Sequence, residues 1–329
     1  SRTREKADGE LFKSTGIDDN ATSTAVTIDA SENVGIGTSS PARELDIVGN
    51  ANVSGGYYAN NASGTFLWNT ANAPIAFGTN NAQRMTINAA GNVGIGVTPE
   101  AWSSIYAVQQ IGGTGAQWSH YNQVAGAIFD QGQNMYRDAS AEKYIVTDEA
   151  SKYRQYSGKH IFSVAPSGTA DSAISWTNAM TIDNAGIVTK PLQPAFCVTA
   201  DGSQNNFAIN TQVTVTLNNE IIDKNNDFSS NTFTAPVTGS YQLQFSFRVQ
   251  NVQQSANYYQ IKIATSNRPY YSSFWTTRFS NNLDFWTFGN SVLSDMDAGD
   301  TAYITITQSG GSAATDIHGE SNFSGYLVA

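Results

Sequence analysis

Charged residues are scarce in this chain, and several chemical hallmarks of other protein classes are missing as well. Of its 329 residues, 13% are charged, about half of the roughly 25% that is usual for soluble domains. The formal net charge of −10 argues against nucleic acid as a partner, because phosphate groups require a basic surface. No uninterrupted apolar run of about 18 residues occurs, so no membrane-spanning helix is predicted.

The chain contains one cysteine, Cys197, so no disulfide can form within it. Its neighbours Phe196 and Val198 are apolar, and we interpret Cys197 as a buried, unreactive thiol. Stability then has to come from packing and from assembly. Residues 1–24 are polar and of mixed charge, and we interpret them as a connector within an excised piece of a longer polypeptide.

Signatures of catalysis and of metal binding are weak. His120, His160 and His318 are isolated and lack the spacing of metal ligands. Asp223 and Asp227 place oxygens in one turn, but the sequence does not continue into a calcium loop. We therefore predict no enzymatic activity, no cofactor and no resident metal. An axial calcium ion and an acidic pair for glycoside cleavage stay open as alternatives.

A strand–turn–strand pattern occurs three times, at residues 26–37, 85–96 and 180–188. In each copy, short apolar arms flank a turn of Asp or Asn, Ala, Ser and Gly residues, which tolerate the left-handed conformations of hairpins. The copies are unequally spaced, which does not favour a regular solenoid. An isolated hairpin is marginal in water, so each copy needs neighbours from the same chain or from other chains.

The first repeat carries a recognisable motif. Residues 33–41 read Asn-Val-Gly-Ile-Gly-Thr-Ser-Ser-Pro, and residues 44–51 continue as Glu-Leu-Asp-Ile-Val-Gly-Asn-Ala. This stretch resembles the connector that recurs in bacteriophage tail fibres, and residues 144–183 also resemble a segment of such fibres. The resemblance implies a fibrous attachment protein on a virion, without identifying the receptor.

Strict alternation of apolar and polar residues marks the last third of the chain. Between Tyr241 and Val249 every second residue is apolar, and the residues between them are polar. Shorter alternations occur at residues 213–217 and 302–307. Strands at this density, with no helical period between them, predict a β-sandwich.

The ends of this region carry a second resemblance. The stretch 233–241, Phe-Thr-Ala-Pro-Val-Thr-Gly-Ser-Tyr, leads into the long strand, and the chain ends on Phe-Ser-Gly-Tyr-Leu-Val-Ala. Together with a polar turn at Asp300, this is similar to the globular head of complement-component proteins, a relative of the tumour-necrosis-factor jelly roll. The resemblance implies a trimeric, non-catalytic binding head. Its motif residues here are Phe233, Pro236, Gly239, Tyr241, Asp300, Phe323 and Gly325.

Eight aromatic residues crowd into positions 270–288. They form either a platform for sugar rings or part of the core and a threefold interface, and we favour the second interpretation for most of them. Members that are exposed would be the best receptor-binding residues. The receptor-binding candidates are Arg268, Tyr270, Tyr271, Trp275 and Arg278.

These observations predict an all-β, elongated homotrimer. We expect a connector at 1–24, β-hairpin connectors with a small β module at 25–100, a second β-rich module at 101–190 and a jelly-roll head at 191–329. The predicted function is the distal part of a bacteriophage tail fibre, joined to proximal tail proteins of the virion and binding a glycan or an outer-membrane receptor on the bacterial surface.

Three alternatives remain. In the first, the head only clamps three chains together and loops of 101–190 bind the receptor. In the second the chain is a bacterial surface adhesin, and in the third it is a capsule depolymerase. The aromatic residues expected in those binding loops are Trp102, Trp118, Tyr121 and Tyr136.

Overall fold

The computed structural model describes residues 25–48, 69 and 71–329, and this part of the chain is all-β. The helical segment that it contains is a single 3-10 turn, Thr276–Arg278. No described helix is long and apolar enough to cross a membrane. The chain divides into two units, Ser1–Trp68 and Asn69–Ala329. The predicted connector at 1–24 lies outside the described residues.

The strands fall into three groups along the chain. In the first unit they are β1 (Val26–Ile28), β2 (Val34–Ile36) and β3 (Leu45–Ile47). The second unit begins with β4 (Ile75–Thr79), β5 (Ala82–Ile87), β6 (Val93–Ile95), β7 (Tyr106–Ile111), β8 (Gly115–His120), β9 (Ile128–Gln133), β10 (Met135–Arg137), β11 (Glu142–Tyr144), β12 (Asp148–Tyr156), β13 (Lys159–Gly168), β14 (Thr177–Ile182) and β15 (Val188–Thr189). It continues with β16 (Ala195–Thr199), β17 (Gln212–Thr214), β18 (Asn219–Asp223), β19 (Phe228–Ser229), β20 (Thr232–Thr234), β21 (Gly239–Val252), β22 (Ala256–Thr265), β23 (Pro269–Trp275), β24 (Leu283–Met296), β25 (Thr301–Gly310), β26 (Asp316–Ile317) and β27 (Asn322–Leu327).

The first unit contains a three-stranded sheet in the order β1-β2-β3. β1 and β2 form an antiparallel hairpin, and β3 returns parallel to β2. The register places every apolar strand residue on one face, where Ile28 is 71% exposed. A Cβ atom on Gly35, on the opposite face, would lie 2.7 Å from the Thr38 carbonyl oxygen, so the connecting loop can fold over that face. The aliphatic face consists of Val26, Ile28, Val34, Ile36, Leu45 and Ile47.

The three sequence repeats share one turn. Its first residue, Asp29, Asn88 or Asp183, accepts hydrogen bonds at its side-chain oxygen from the backbone N–H groups two and four residues later, at 2.8–3.0 Å. The fourth residue has a positive φ, which favours glycine and is supplied by Gly91 and Gly186. The same side-chain capping therefore closes all three hairpins.

Ten strands of the second unit form one sheet, in the order β15-β14-β13-β12-β9-β8-β7-β6-β5-β4. β6 pairs in parallel with β7, just as β2 pairs with β3. The first two repeats therefore share both the hairpin and the parallel strand that follows it. The predicted boundary at residue 100 lies between these two paired strands.

One face of this ten-stranded sheet is covered. The β10–β11 hairpin and adjoining loops contribute to a core in which the Trp102 and Trp118 rings lie 5.1 Å apart. This corrects the expectation that four aromatic residues of 101–190 lie in binding loops. Trp102, Trp118 and Tyr136 are buried because large rings supply most of this core, whereas Tyr121 is 73% exposed. The opposite face exposes Ile111, Phe129, Phe162 and Val164.

A buried charge cluster lies under the covered face. Arg154 binds Asp130 through Nε and Nη2, and it also binds Glu142 at 2.8 Å. Lys152 pairs with Glu142 and lies 4.4 Å from the centroid of the Trp176 ring. Burial alone would raise the pKa of Glu142, but Lys152 and Arg154 outweigh it and hold that pKa below its usual value. Every charge in this core is therefore compensated by another.

The last group of strands forms a two-sheet sandwich, which we call the head. Its first sheet has the order β18-β16-β27-β21-β24, with β26 beside β21, and its second sheet has the order β19-β20-β25-β22-β23, with β17 beside β25. The apolar residues of β21 point inward as their alternation predicts, and the polar residues between them point outward. The enclosed core is apolar, with Phe233, Phe247, Ile261 and Ile304 fully buried.

Candidate functional site

The receptor candidates centre on β23, which is one of the two edge strands of the second sheet. Alternation along β23 separates its aromatic residues onto two faces. Tyr271 and Trp275 point outward and are 54% and 65% exposed. Tyr270 packs against the core, and its hydroxyl donates to the Ser294 Oγ atom at 3.3 Å. The structure therefore places Tyr271 and Trp275 on one face of β23 and Tyr270 on the opposite face.

The two arginine candidates lie beyond the ends of this strand. Arg268 precedes β23 and pairs with Asp295 at 2.8 Å, both side chains being exposed. Arg278 ends the 3-10 turn that follows β23, and it is also exposed. In neither case does the described structure show a cation–π contact with Tyr271 or Trp275.

The neighbouring strand β22 adds three residues that the sequence analysis missed. Tyr258, Gln260 and Lys262 point outward and lie opposite Trp275, Ser273 and Tyr271 respectively. The alternation of residues 258–263 carries this signal, because Tyr259, Ile261 and Ile263 are its inward partners. We call these six outward residues the β22–β23 face: Tyr258, Gln260, Lys262, Tyr271, Ser273 and Trp275.

Contacts within the β22–β23 face arrange it in three rows. The Tyr258 and Trp275 rings lie 5.5 Å apart at an interplanar angle of 62°. In the middle row Gln260 donates from Nε2 to the Ser273 Oγ atom at 3.1 Å. In the third row the Lys262 ammonium lies 6.0 Å from the centroid of the Tyr271 ring. The face thus presents an aromatic row at each end and a hydrogen-bonding row between them.

Of the other aromatic residues of 270–288, Phe288 is buried and Phe274 and Phe279 are half-buried, whereas Phe285 and Trp286 are 56% and 42% exposed. Phe274 lies 4.8 Å from Phe288 and 5.4 Å from Trp286, measured between ring centroids. Phe279 extends this cluster to the far side of Trp286. The aromatic stretch therefore divides between the core and the surface according to strand alternation.

The predicted motif residues have local structural roles in the head. Phe233 stacks on Phe196 at 4.5 Å, and Phe323 meets the same ring edge-on at 4.9 Å. The Tyr241 hydroxyl donates to the Val237 carbonyl at 2.8 Å, which ties the start of β21 to the loop before it. Burial raises the pKa of Tyr241 above its usual value.

The two motif glycines lie where side chains do not fit. A Cβ atom on Gly325 would lie 2.7 Å from Leu243 and 2.8 Å from Phe196. On Gly239 it would lie 2.6 Å from the carbonyl oxygen of Ala329. Asp300 holds its own turn, because its Oδ2 atom accepts from the backbone of Asp297 at 2.8 Å. Pro236 is exposed in the loop before β21.

The outer face of the first sheet differs from the β22–β23 face. Ile222, Leu293 and Tyr326 are exposed there, and Cys197 lies opposite Ile222 in the register. Cys197 is half-buried and points away from the sandwich core, which corrects its interpretation as a buried thiol. Its neighbours Phe196 and Val198 occupy the inward positions of β16, so alternation directs the thiol outward.

Comparison with known proteins identifies the head. Residues 195–328 match the family model of the C1q domain, so the C-terminal part of the chain is a C1q domain with a jelly roll of the tumour-necrosis-factor type. The predicted all-β class and complement-type head are confirmed. C1q domains are a binding and structural family, which agrees with the expectation of a non-catalytic head.

Solved structures that are similar to the head include two from the complement and tumour-necrosis-factor groups of proteins. The globular domain of zebrafish complement 1qA protein is 20% identical, with a TM-score of 0.32, and the match covers 42% of this chain and 98% of that one. Murine APRIL is 8% identical, with a TM-score of 0.32 and coverage of 41% and 99%. No curated protein sequence matches the chain. In the described residues no group of three or more His, Cys, Asp or Glu side chains could hold a metal ion.

Proposed function

We propose that this chain is the distal part of a bacteriophage tail fibre, which assembles as a homotrimer and attaches the virion to the bacterial surface through its C1q head. The observation that carries the proposal is the repeated connector. Its turn closes with the same hydrogen bonds at Asp29, Asn88 and Asp183. A chain built from such connectors and ending in a binding head suits an attachment fibre.

Uncovered apolar surface supports assembly of several copies. The aliphatic face of β1–β3 is exposed, and packing of that face against another surface would stabilise a sheet of three such short strands. The uncovered face of the ten-stranded sheet exposes Ile111 and Val164 as well. C1q and tumour-necrosis-factor-like domains typically form trimers. A closed threefold arrangement would cover these surfaces symmetrically.

The head is the better attachment element, because its exposed aromatic residues are grouped. Trp275 and Tyr271 lie on one face of one strand, whereas three of the four aromatic residues expected in the loops of 101–190 are buried. Three heads on one fibre, and several fibres on one particle, would give strong attachment from weak single contacts.

Binding of the whole chain to bacteria tests this proposal. Fluorescently labelled 1–329 is incubated with a panel of bacterial strains, and phages that infect the positive strains are used as competitors. We expect saturable binding that the matching phage competes away, and a trimer mass in solution. A monomer mass, or the absence of binding to every strain, would contradict the proposal.

A matched pair of variants assigns attachment to a region. Trp275→Ala removes an exposed ring from the head, and Tyr121→Ala removes an exposed ring from the ten-stranded sheet region. We expect Trp275→Ala to reduce cell binding and Tyr121→Ala to leave it unchanged. The reverse result would make the head a clamp and assign attachment to residues 101–190.

A further inference from the structure

We propose that the β22–β23 face binds an acidic oligosaccharide, with sugar rings stacked on Trp275 and Tyr271 and a sugar carboxylate paired with Lys262. This inference rests on the proposed attachment function and specifies its ligand. It depends on three properties of the face: the spacing of its rings, the polar row between them and its cation.

The spacing of the rings suits an extended ligand. Tyr271 and Trp275 are four residues apart on one strand and point to the same side. At roughly 3.3 Å per residue, their side chains emerge about 13 Å apart along β23. Both rings are more than half exposed. A ligand that contacts both must be a chain of several units that lies along the strand.

The row between the rings favours a sugar over an apolar peptide. Gln260 and Ser273 hydrogen-bond each other at 3.1 Å, and both are accessible from outside. On the next strand, the hydroxyl-bearing residues Thr307 and Ser309 lie opposite Gln260 and Tyr258. Sugar rings combine apolar faces with hydroxyl groups at their edges, so alternating aromatic and polar rows match them.

The cation determines the charge of the ligand. Lys262 takes part in none of the ion pairs that the described residues form. It is the one charged member of the β22–β23 face, so a charged group of a ligand on this face meets a cation and no carboxylate of the face itself. Its position beside the Tyr271 ring places that charge next to a stacked sugar. A carboxylate on the sugar would complete the pairing.

The opposite side of the head has a different character. The outer face of the first sheet exposes the aliphatic residues Ile222 and Leu293, which suit contact with another copy of the chain. The β22–β23 face belongs to the second sheet, at one of its edge strands. A ligand on that face and a subunit contact on the other would therefore not compete for the same residues.

Surface polysaccharide from a strain that binds the chain provides the probe. Soluble fragments of it, native and after chemical reduction of their carboxyl groups, are titrated into full-length 1–329 by calorimetry. We expect the native fragments to bind and the carboxyl-reduced fragments to bind at least fivefold more weakly. Higher salt should weaken the native interaction. Equal binding of both forms would overturn the proposal.

Variants locate the site on the β22–β23 face. We expect Lys262→Gln to weaken binding of native fragments about fivefold and to leave the carboxyl-reduced fragments unaffected. Trp275→Ala should weaken both about tenfold, and Trp275→Tyr should restore most of the loss. Lys224→Gln, at an exposed lysine in the turn after β18, is the matched control and should change nothing. Equal effects of Lys224→Gln and Lys262→Gln would overturn the assignment.

Treatment of the bacteria separates failure of this inference from failure of the attachment function. If protease treatment of the cells abolishes binding and periodate does not, the receptor is a protein, and attachment stands while the acidic oligosaccharide is rejected. If periodate abolishes binding and protease does not, the glycan assignment is supported. If no strain binds at all, the attachment function itself fails.

Discussion

The head and the ten-stranded sheet belong to one unit of the chain but bury their cores in different ways. The head encloses apolar residues between two sheets, and Phe233, Phe247 and Ile304 there have no exposed surface. The ten-stranded sheet is covered on one face, where aromatic rings adjoin a compensated charge cluster around Glu142. Its other face is not covered by the residues that the structure describes in this unit.

This difference separates a region whose apolar core is enclosed from one whose sheet has an exposed apolar face. The head carries its own core and needs no partner to bury it. The ten-stranded sheet and the β1–β3 sheet leave aliphatic residues exposed, and in the proposed trimer other copies would cover them. We therefore expect a substitution to lower stability only in the region that contains it. The head should be most sensitive to loss of an apolar side chain, and the ten-stranded sheet to loss of a charge.

The largest effect is expected in the head core. Phe323→Ala removes a fully buried ring that contacts Phe196, and we expect it to destabilise the head by about 4 kcal/mol. Hydrogen exchange measured by mass spectrometry should show the loss of protection in peptides of 191–329. Phe323→Leu, which keeps most of the volume, should cost about 1.5 kcal/mol. Equal loss of protection in peptides of 75–189 would contradict the independence of the head.

The charge cluster tests the other region. Glu142→Gln removes the carboxylate that compensates Lys152 and Arg154, and Lys152 is left buried without its partner. We expect a loss of about 3 kcal/mol, confined to peptides of 75–189. Glu149→Gln, at an exposed glutamate on β12, is the control and should stay within about 0.5 kcal/mol of the parent.

Alkaline pH provides a probe of the same region. Burial, followed by the hydrogen bond to Asp171, raises the pKa of Tyr136 to about 12. The ordinary pKa of tyrosine is about 10, and in the folded state that of Tyr136 is higher. The contribution of its hydroxyl to the free energy of unfolding is therefore fully present below pH 10 and disappears as the pH rises through 12. Tyr136→Phe should cost about 1 kcal/mol at pH 8 in urea unfolding. That difference from the parent chain should shrink as the pH approaches 12, and a difference that grows with pH would refute this account.

The smallest effect is expected at the connectors. Asp183→Ala removes the oxygen that accepts from Ala185 and Ile187, and we expect the third hairpin to lose about 1 kcal/mol. Asp183→Asn should be nearly neutral, because Asn88 closes the second connector in the same way. Exchange of the amide protons in residues 177–189 measures both variants. Equal loss in the two would show that the side-chain oxygen is not what stabilises the turn.

Local patterns predicted the parts of this structure that depend on neighbouring residues. The alternation from Tyr241 to Val249 predicted the inward face of β21, and the turn residues predicted the hairpins. Alternation along β23 separates Tyr270 from Tyr271, and alternation along β16 directs Cys197 outward. The grouping of Tyr270 with the surface residues and the interpretation of Cys197 as buried could therefore have been avoided. The motif residues predicted the C1q head.

Long-range features could not be predicted in this way. The parallel return of β3 beside β2 and of β7 beside β6 depends on pairing across a loop, which short-range periodicity does not encode. The charge cluster brings together Asp130, Glu142 and Arg154 from three strands, and no spacing in the sequence marks it. The β22–β23 face likewise depends on the register of two strands, because that pairing decides which outward residues lie opposite one another.

The position of β27 has a consequence for how the head forms. β27 lies between β16 and β21 in the middle of the first sheet, and its pairing with β16 joins residues more than 120 positions apart, such as Thr199 and Asn322. Contacts of such sequence separation form late, because the intervening chain must be ordered first. Until β27 inserts, β16 and β21 border a gap with unpaired backbone groups. Because a β27 strand from another copy has the same sequence and could pair in that gap, we expect exchange of this strand between chains to be a misfolding route of the nascent head.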